Sequence, residues 1–170
     1  MNASPKTISP AIPSDIADMA YEVLKAACDR NLRVATAESC TGGLLAALLT
    51  DIEGCSHAFE RGFVSYTDEA KAEMLEIPPD LLNRVGAVSR EVAEAMVFGA
   101  LARSHADIAL SITGYTDDSG DGEPGLVFFG IGRFGGPIAV EERRFGDIGR
   151  GAVRIACLST ALQLIHRRME

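Results

Sequence analysis

The chain has 170 residues, of which 47% are hydrophobic and 24% are charged, and these proportions are typical of one soluble globular domain with a sizeable core. The formal net charge of −8 argues against nucleic acid as a partner, because phosphate contacts need clustered lysine and arginine. The longest apolar runs are too short for a membrane span, and we predict neither a secretory signal nor a membrane partner.

The four cysteines are scattered and form no CxxC pair, so they predict reduced thiols rather than a zinc site or a disulfide framework. Reduced thiols are typical of a cytoplasmic protein, and the sequence therefore predicts that location. Cys40 lies in the motif described below and is expected to be a small buried residue. The cysteines are Cys28, Cys40, Cys55 and Cys157.

The N-terminal part of the chain divides into a leader and a helix. Residues 1–13 contain three prolines and predict a loose leader, after which residues 14–170 form a single domain. Ser14 and Asp15 predict the N-terminal cap of the first helix. Apolar residues then recur with the i, i+3, i+4, i+7 spacing of one buried helix face, at Ile16, Met19, Ala20, Val23, Leu24 and Ala27.

A short motif between a strand and a helix is the most informative stretch of the chain. Residues 32–37 are mostly apolar and predict a buried strand, and residues 44–51 predict the helix that follows. The sequence Glu-Ser-Cys-Thr-Gly-Gly at 38–43 predicts a tight turn with an exposed hydroxyl and free amides at a helix start. Such a turn attracts an anion or an oxyanion. Serine and threonine here are also typical of simple helix caps, so the motif alone leaves both interpretations open.

The middle of the chain predicts a second strand and further helical segments. Residues 59–66 predict the strand, and Thr67 then caps a helix that ends before Pro78. One more helical turn is predicted at residues 81–82.

The rest of the chain predicts a longer helix, three strands and a last helix. Ser89 caps the helix over residues 90–104, whose small residues predict close packing. The remaining elements are strands at 107–113, 126–132 and 138–145 and a helix at 150–168. Residues 135–137 join the last two strands as a hairpin. Helices and strands alternate in the first part of the chain, and the last two strands form a hairpin. This arrangement predicts an α/β domain with a mixed β-sheet and helices on both faces.

A hydrolase that uses a serine nucleophile needs a base to deprotonate it. Histidine is the usual base, but His57, His105 and His166 lie in a loop or near helix ends. No Gly-x-Ser-x-Gly elbow surrounds Ser39, so a Ser-His-Asp triad has little support. A lysine is the other option.

Lys71 is the lysine best placed to act as this base. Lys6 lies in the leader and Lys25 beside the apolar face of the first helix, whereas Lys71 is one turn into a helix that starts where a strand ends. A positive helix end and partial burial lower the pKa of a lysine, so a neutral amine takes the proton of Ser39. Tyr66, at the strand end, is placed to relay a proton or to position the pair. The alternatives are a solvated Lys71 paired with a nearby glutamate and an ordinary half-buried tyrosine.

Four blocks of sequence stand out in the chain: TAESCTGG at 36–43, RGFVSY at 61–66 with EAK at 69–71, GAVS at 86–89 and ITG at 112–114. Together they resemble the CinA C-terminal domain family, which includes stand-alone nicotinamide mononucleotide amidases. The resemblance covers the chain from about Ile16 to its C-terminus, and the blocks occur in the family's order. Each block alone is weak, and their combination is specific.

The resemblance implies hydrolysis of the carboxamide of nicotinamide mononucleotide to nicotinic acid mononucleotide and ammonia, without a metal or another cofactor. It implies Ser39 as the nucleophile, Lys71 as the general base and Tyr66 as an assisting residue. It also implies a homo-oligomer with a small pyridine nucleotide as its substrate. The implied substrate-binding residues are Thr41, Gly42, Gly43, Thr113, Gly114 and Arg150, with Arg154 as a second C-terminal arginine.

One loop departs from the family pattern. After Gly114 the family typically continues with a glycine-rich loop, whereas residues 115–124 carry four acidic residues. A glycine-rich loop lets amides approach a phosphate, but carboxylates repel one unless they point away or bind a cation. The pattern Asp117-x-Ser119-x-Asp121-Gly122 resembles the start of a calcium loop, but Phe128 stands where that loop has a bidentate glutamate. We therefore predict a solvated acidic turn and no structural metal.

The sequence leaves three functions open. The leading one is an amidohydrolase for nicotinamide mononucleotide, which Ser39, Tyr66 and Lys71 together favour. The acidic loop instead favours a non-catalytic relative that binds a nucleotide, a cation or a protein partner. An amidase for a different, less phosphorylated amide lies between the two.

Overall fold

A computed structural model of the chain describes residues 12–118 and 120–170. Most of the predicted leader, residues 1–11, lies outside this range. The described part contains helices α1 (Ser14–Asp29), α2 (Leu44–Thr50), α3 (Asp68–Leu75), α4 (Pro79–Val85), α5 (Arg90–Ala102) and α6 (Arg150–Met169). Its strands are β1 (Val34–Glu38), β2 (Phe59–Val64), β3 (Ile108–Gly114), β4 (Leu126–Arg133) and β5 (Ile138–Arg144), with a short 3₁₀ turn at Ser56–Ala58.

The five strands form one mixed sheet in the order β2-β1-β3-β4-β5. Strand β1 pairs in parallel with both β2 and β3, whereas the pairs β3–β4 and β4–β5 are antiparallel. All of β1 and all but the last residue of β3 are buried, which explains their nearly continuous apolar sequences, because helices cover both faces. The predicted α/β domain with a mixed sheet and helices on both faces is confirmed.

Two apolar cores lie on opposite faces of the sheet. Residues of α1, α2 and α6 pack against Ile108, Leu110 and Ile112 of β3. Residues of α3, α4 and α5 pack on the other face, which includes Ala35 of β1 and Ala109 of β3. The split follows from strand geometry, because successive side chains point to opposite faces.

Helix α5 lies very close to both the sheet and α3. A Cβ atom added at Gly99 would lie 2.1 Å from the carbonyl oxygen of Leu75, and one added at Gly130 would lie 2.6 Å from that of Ala93. Ser111 bridges the same gap, because its Oγ donates to the carbonyl oxygen of Ala93 at 2.7 Å. The close packing predicted from the small residues of α5 is therefore confirmed.

Two of the predicted helix caps are confirmed, and one is wrong. The hydroxyls of Thr67 and Ser89 each accept a hydrogen bond from the amide three residues later, at 3.1 and 3.3 Å. At α1, Ser14 already has a helical backbone, so Pro13 is the cap residue and its carbonyl accepts the first helical hydrogen bonds. The helical turn predicted at residues 81–82 is a full helix of seven residues, with Pro79 at its first position.

The topology brings several loops to one edge of the sheet. Because β1, β2 and β3 are mutually parallel, their carboxyl ends meet there, and the antiparallel β4 begins at the same edge. The turn after Glu38, the segment from Ser65 to α3, and the loop after Gly114 therefore adjoin one another. No helix among the described residues is long and apolar enough to cross a membrane.

Candidate active site

The side chains of Ser39 and Lys71 meet at this edge of the sheet. The Nζ atom of Lys71 lies 3.1 Å from the Oγ atom of Ser39. Both residues are buried, with 7% of Ser39 and 1% of Lys71 exposed, so the contact is shielded from water. The alternative of a solvated Lys71 is wrong, because α3 turns this side chain inward beneath the ends of β1 and β2.

Lys71 is held by two backbone carbonyls in addition to Ser39. Its Nζ donates to the carbonyl oxygens of Ser65 at 3.2 Å and Tyr66 at 3.0 Å. Burial lowers the pKa of Lys71, while the weaker influences of Asp68 and Cys40 act to raise it. In a neutral amine the two hydrogens satisfy the two carbonyls, and the remaining lone pair faces the hydroxyl of Ser39. This geometry suits a lysine that accepts a proton from the serine.

Glu38 organises the turn that carries Ser39, and the sequence analysis missed this role. Its side chain is fully buried and accepts hydrogen bonds from the Oγ1 of Thr41 at 2.7 Å and from the amides of Leu45 at 3.1 Å and Ala46 at 2.8 Å. These amides are orphan donors of the first turn of α2, where the helix dipole also favours a carboxylate. The start of α2 is therefore occupied by the protein's own anion. The signal that could have found it is an acidic residue at the end of an otherwise apolar strand.

Thr41, Gly42 and Gly43 shape the turn and lie apart from the cavity lining. Gly42 and Gly43 have φ angles of 61° and 89°, a conformation that favours glycine. The carbonyl oxygen of Thr41 accepts a hydrogen bond from Arg154 Nη2 at 2.5 Å, which ties the turn to α6. The amide of Ser39 donates to the carbonyl of Ile112 in β3 at 3.0 Å. Ser39 is thus held to β3 through its own amide, and the turn that follows it is held to α6 through Thr41.

A cavity of about 230 Å³ opens above the Ser39–Lys71 pair. Six of the predicted catalytic and substrate-binding residues line it: Ser39, Tyr66, Lys71, Thr113, Gly114 and Arg150. Thr113 is buried and donates its hydroxyl to the carbonyl oxygen of Ala87 at 2.8 Å, leaving its lone pairs as acceptors. Cys40 also lines the cavity and is half-buried, where the sequence predicted a buried residue.

Tyr66 and Arg150 form the outer part of the cavity. Tyr66 is 65% exposed, and none of the described hydrogen bonds joins its hydroxyl to Ser39 or Lys71. Hydrogen bonding to the side chains of Tyr66 and Asp117 raises the pKa of Arg150. Tyr66 contacts Lys71 through its backbone carbonyl, which accepts a hydrogen bond from Nζ. The sequence alone did not indicate this contact.

Two carboxylates of the acidic loop at residues 115–124 form ion pairs with arginines. Asp117 Oδ2 accepts from Arg150 Nε at 3.0 Å and from Arg150 Nη2 at 2.7 Å. Glu123 forms an ion pair with Arg144 at the end of β5. The sequence left open whether the acidic residues of this loop would repel a phosphate. Two of these carboxylates, those of Asp117 and Glu123, face arginines of the chain itself, which partly answers that question.

Comparison with known proteins identifies the family. The profile of the CinA C-terminal domain matches residues 16–169, and the chain belongs to this family. Over 159 residues the chain is 40% identical to the nicotinamide-nucleotide amidohydrolase PncC of Escherichia coli K12, covering 91% of this chain and 95% of that protein.

Other relatives are much longer than this chain. A protein of Caldicellulosiruptor bescii named for competence-damage induction is 39% identical over 144 residues, which cover 83% of this chain and 34% of that protein. The chain thus spans about a third of the length of such curated relatives.

A solved structure confirms the fold. The competence/damage inducible protein CihA of Agrobacterium tumefaciens superposes with a TM-score of 0.87 and 41% sequence identity. The match covers 91% of this chain and 95% of that one.

Proposed function

We propose that this protein is an amidohydrolase that converts nicotinamide mononucleotide to nicotinic acid mononucleotide and ammonia with a Ser-Lys pair. The observation that carries the proposal is the buried contact between Lys71 Nζ and Ser39 Oγ at 3.1 Å. The amidohydrolase named among its relatives, which the chain matches over nearly the full length of both, supports the choice of reaction and substrate.

The first half of the reaction forms an acyl-enzyme. The neutral amine of Lys71 accepts the hydroxyl proton of Ser39 as Oγ attacks the carboxamide carbon. The resulting ammonium then donates a proton to the departing nitrogen, which leaves as ammonia. Lys71 returns to its neutral form, and the nicotinoyl group remains on Ser39 as an ester.

The second half repeats the sequence with water. Lys71 accepts a proton from a water molecule that attacks the ester carbonyl, and then returns it to Ser39 Oγ as the ester bond breaks. The products are nicotinic acid mononucleotide and the free enzyme. No step requires a redox change, and protons balance over the cycle.

The amide of Cys40 is the donor that we assign to the oxyanion. It follows the nucleophile directly, and within the described part of the chain no hydrogen-bond partner occupies it. Of the later amides of this segment, that of Gly42 donates to the carbonyl of Ser39, and those of Leu45 and Ala46 donate to Glu38. A free amide beside the attacked carbon is the kind of group that stabilises a tetrahedral intermediate.

The remaining cavity residues receive substrate-binding roles in this proposal. Arg150 and Tyr66 form the outer wall and bind the phosphate end, because a guanidinium matches phosphate geometry. Thr113 and Gly114, at the end of β3, lie against the pyridine ring. Thr41, Gly42 and Gly43 act through the shape of the turn. We also expect a homo-oligomer, as the family resemblance implies, and a cytoplasmic location, as the scattered cysteines predict.

A second candidate is an amidase for a related amide without a phosphate. The Arg150–Asp117 ion pair favours it, because the cation in the cavity already has a carboxylate partner. This candidate uses the same Ser-Lys chemistry and differs only in what the outer wall binds.

Ammonia release from nicotinamide mononucleotide tests the proposal. We expect activity in the purified protein and its loss in Ser39→Ala and in Lys71→Ala. Lys25→Ala is the matched control, because Lys25 is half-exposed and pairs with Asp29 on α1. A folded protein that releases no ammonia between about pH 6 and 9, where a tuned lysine acts, would overturn the proposed function. Release from nicotinamide riboside alone would establish the second candidate instead.

A further inference from the structure

The acidic loop places one carboxylate directly on the arginine of the cavity. Both Asp117 and Arg150 line the cavity, and one oxygen of Asp117 accepts from two nitrogens of the guanidinium, at 2.7 and 3.0 Å. Tyr66 lines the same cavity. The donors that would bind an anionic substrate group are therefore engaged within the protein.

We propose that Asp117 is a specificity-determining residue that occupies Arg150 in place of the substrate's anionic group and must withdraw before that group binds. This inference rests on the proposed amidase function and goes beyond it, since it concerns which amides the site prefers. The Nε and Nη2 donors that Asp117 uses are the kind of donor pair with which arginine engages phosphate oxygens. A carboxylate on these donors and a phosphate on the same donors exclude each other.

The position of Asp117 in its loop allows this exchange. The base of the loop is held by two backbone hydrogen bonds between Tyr115 and residues 125–126, at 2.8 and 2.9 Å. Asp117 lies beyond that anchor, outside any helix or strand. Its side chain is 38% exposed and that of Arg150 is 51% exposed, so water screens the ion pair. Screened pairs of this kind are weak and open readily.

Only an anionic ligand has to open the ion pair between Asp117 and Arg150 in order to bind. A phosphate must displace Asp117 and then bind near its negative charge, whereas a phosphate-free amide leaves the pair closed. Removing the charge of Asp117 should therefore strengthen binding of nicotinamide mononucleotide by about two- to fivefold, the range expected for an exposed ion pair. It should leave the affinity for nicotinamide riboside as it was.

The experiment is a titration calorimetry series in a Ser39→Ala background, which allows binding without turnover. The parent Ser39→Ala protein, its Asp117→Asn derivative and its Asp118→Asn derivative are each titrated with nicotinamide mononucleotide and with nicotinamide riboside. Asp118 is the matched control, because it is an exposed neighbour in the same loop and carries the same charge. Thermal melting of each variant checks that it is folded.

The expected result is a two- to fivefold lower Kd for nicotinamide mononucleotide in Asp117→Asn only, with the same riboside affinity in all three proteins. An unchanged or weaker affinity for the mononucleotide in Asp117→Asn overturns the inference, and so does an equal gain in Asp118→Asn or an equal gain for riboside. If the parent Ser39→Ala protein binds the mononucleotide in such a case, the proposed function still stands and only the inference about Asp117 fails. If no variant binds the mononucleotide, the proposed function fails, and the inference fails with it.

Discussion

Lys71 Nζ and Ser39 Oγ lie 3.1 Å apart although 32 residues separate them in the chain. The two side chains come together because β1 and β2 are parallel neighbours, so the turn after β1 and the start of α3 occupy the same edge of the sheet. Lys71 Nζ also contacts the carbonyls of Ser65 and Tyr66, which follow β2 directly. The pair is therefore a product of sheet topology, and its chemistry depends on the protonation of Lys71.

The rate of the proposed reaction should increase with pH through the pKa of Lys71. Burial lowers this pKa, and only the neutral amine can deprotonate Ser39, so log kcat should rise with a slope near one and level off above that pKa. The measurement is a pH–rate profile from about pH 6 to 9. Lys71→Arg should lose at least about 10³-fold in kcat throughout this range, because a guanidinium stays protonated. A pH-dependent activity retained by Lys71→Arg would exclude Lys71 as the base.

The same lowered pKa should make the stability of the fold depend on pH. Between the lowered pKa in the folded chain and the ordinary pKa in the unfolded chain, the unfolded state binds more protons at Lys71 than the folded state does. The free energy of unfolding should therefore increase with pH in this window, by up to about 1.4 kcal/mol per pH unit from this residue. Urea unfolding at several pH values above 7 measures the slope. In Lys71→Met this contribution disappears, and parallel curves for the two proteins would contradict the prediction.

Glu38→Gln should destabilise the turn at the start of α2. A glutamine offers one acceptor oxygen in place of two, so it cannot serve Thr41 and the amides of Leu45 and Ala46 together. Leaving a buried donor unsatisfied should lower the free energy of unfolding by about 1–3 kcal/mol, and displacement of Ser39 should lower kcat as well.

Urea unfolding and kcat measured on the same preparations test the role of Glu38. Glu53→Gln is the matched control, because Glu53 is exposed in a turn and its replacement should change neither quantity. Equal stability of the two variants would mean that the buried carboxylate does not hold the turn.

Gly99→Ala should separate α5 from α3. The new Cβ atom would lie 2.1 Å from the carbonyl oxygen of Leu75, so the helices must move apart at a cost of about 1–3 kcal/mol. Gly151→Ala is the control, since a Cβ atom at Gly151 meets nothing within 4 Å, and alanine there should stabilise α6 slightly. Thermal melting compares the two variants, and a higher melting temperature for Gly99→Ala would show that the packing tolerates a methyl group.

Local elements were well predicted from the sequence because their signals are local. Thr67 and Ser89 stand one residue before helices and cap them, as their side-chain chemistry predicts. The apolar face of α1 and the nearly unbroken apolar runs of β1 and β3 predicted which residues face the core. Ser14 was predicted as a cap and is the first helical residue instead, because Pro13 already provides the entry to α1.

The sequence by itself determined the order of helices and strands, the α/β class, and the family resemblance that singled out Ser39 and Lys71. It could not determine that Lys71 is 1% exposed, since burial depends on how α3 packs against the sheet. Only the tertiary structure decided that Glu38 occupies the start of α2 and that Asp117 engages Arg150, 33 residues further along the chain. The physical reason is that the direction and partners of a charged side chain depend on which distant segments lie beside it, whereas helix and strand formation depends mainly on near neighbours in the sequence.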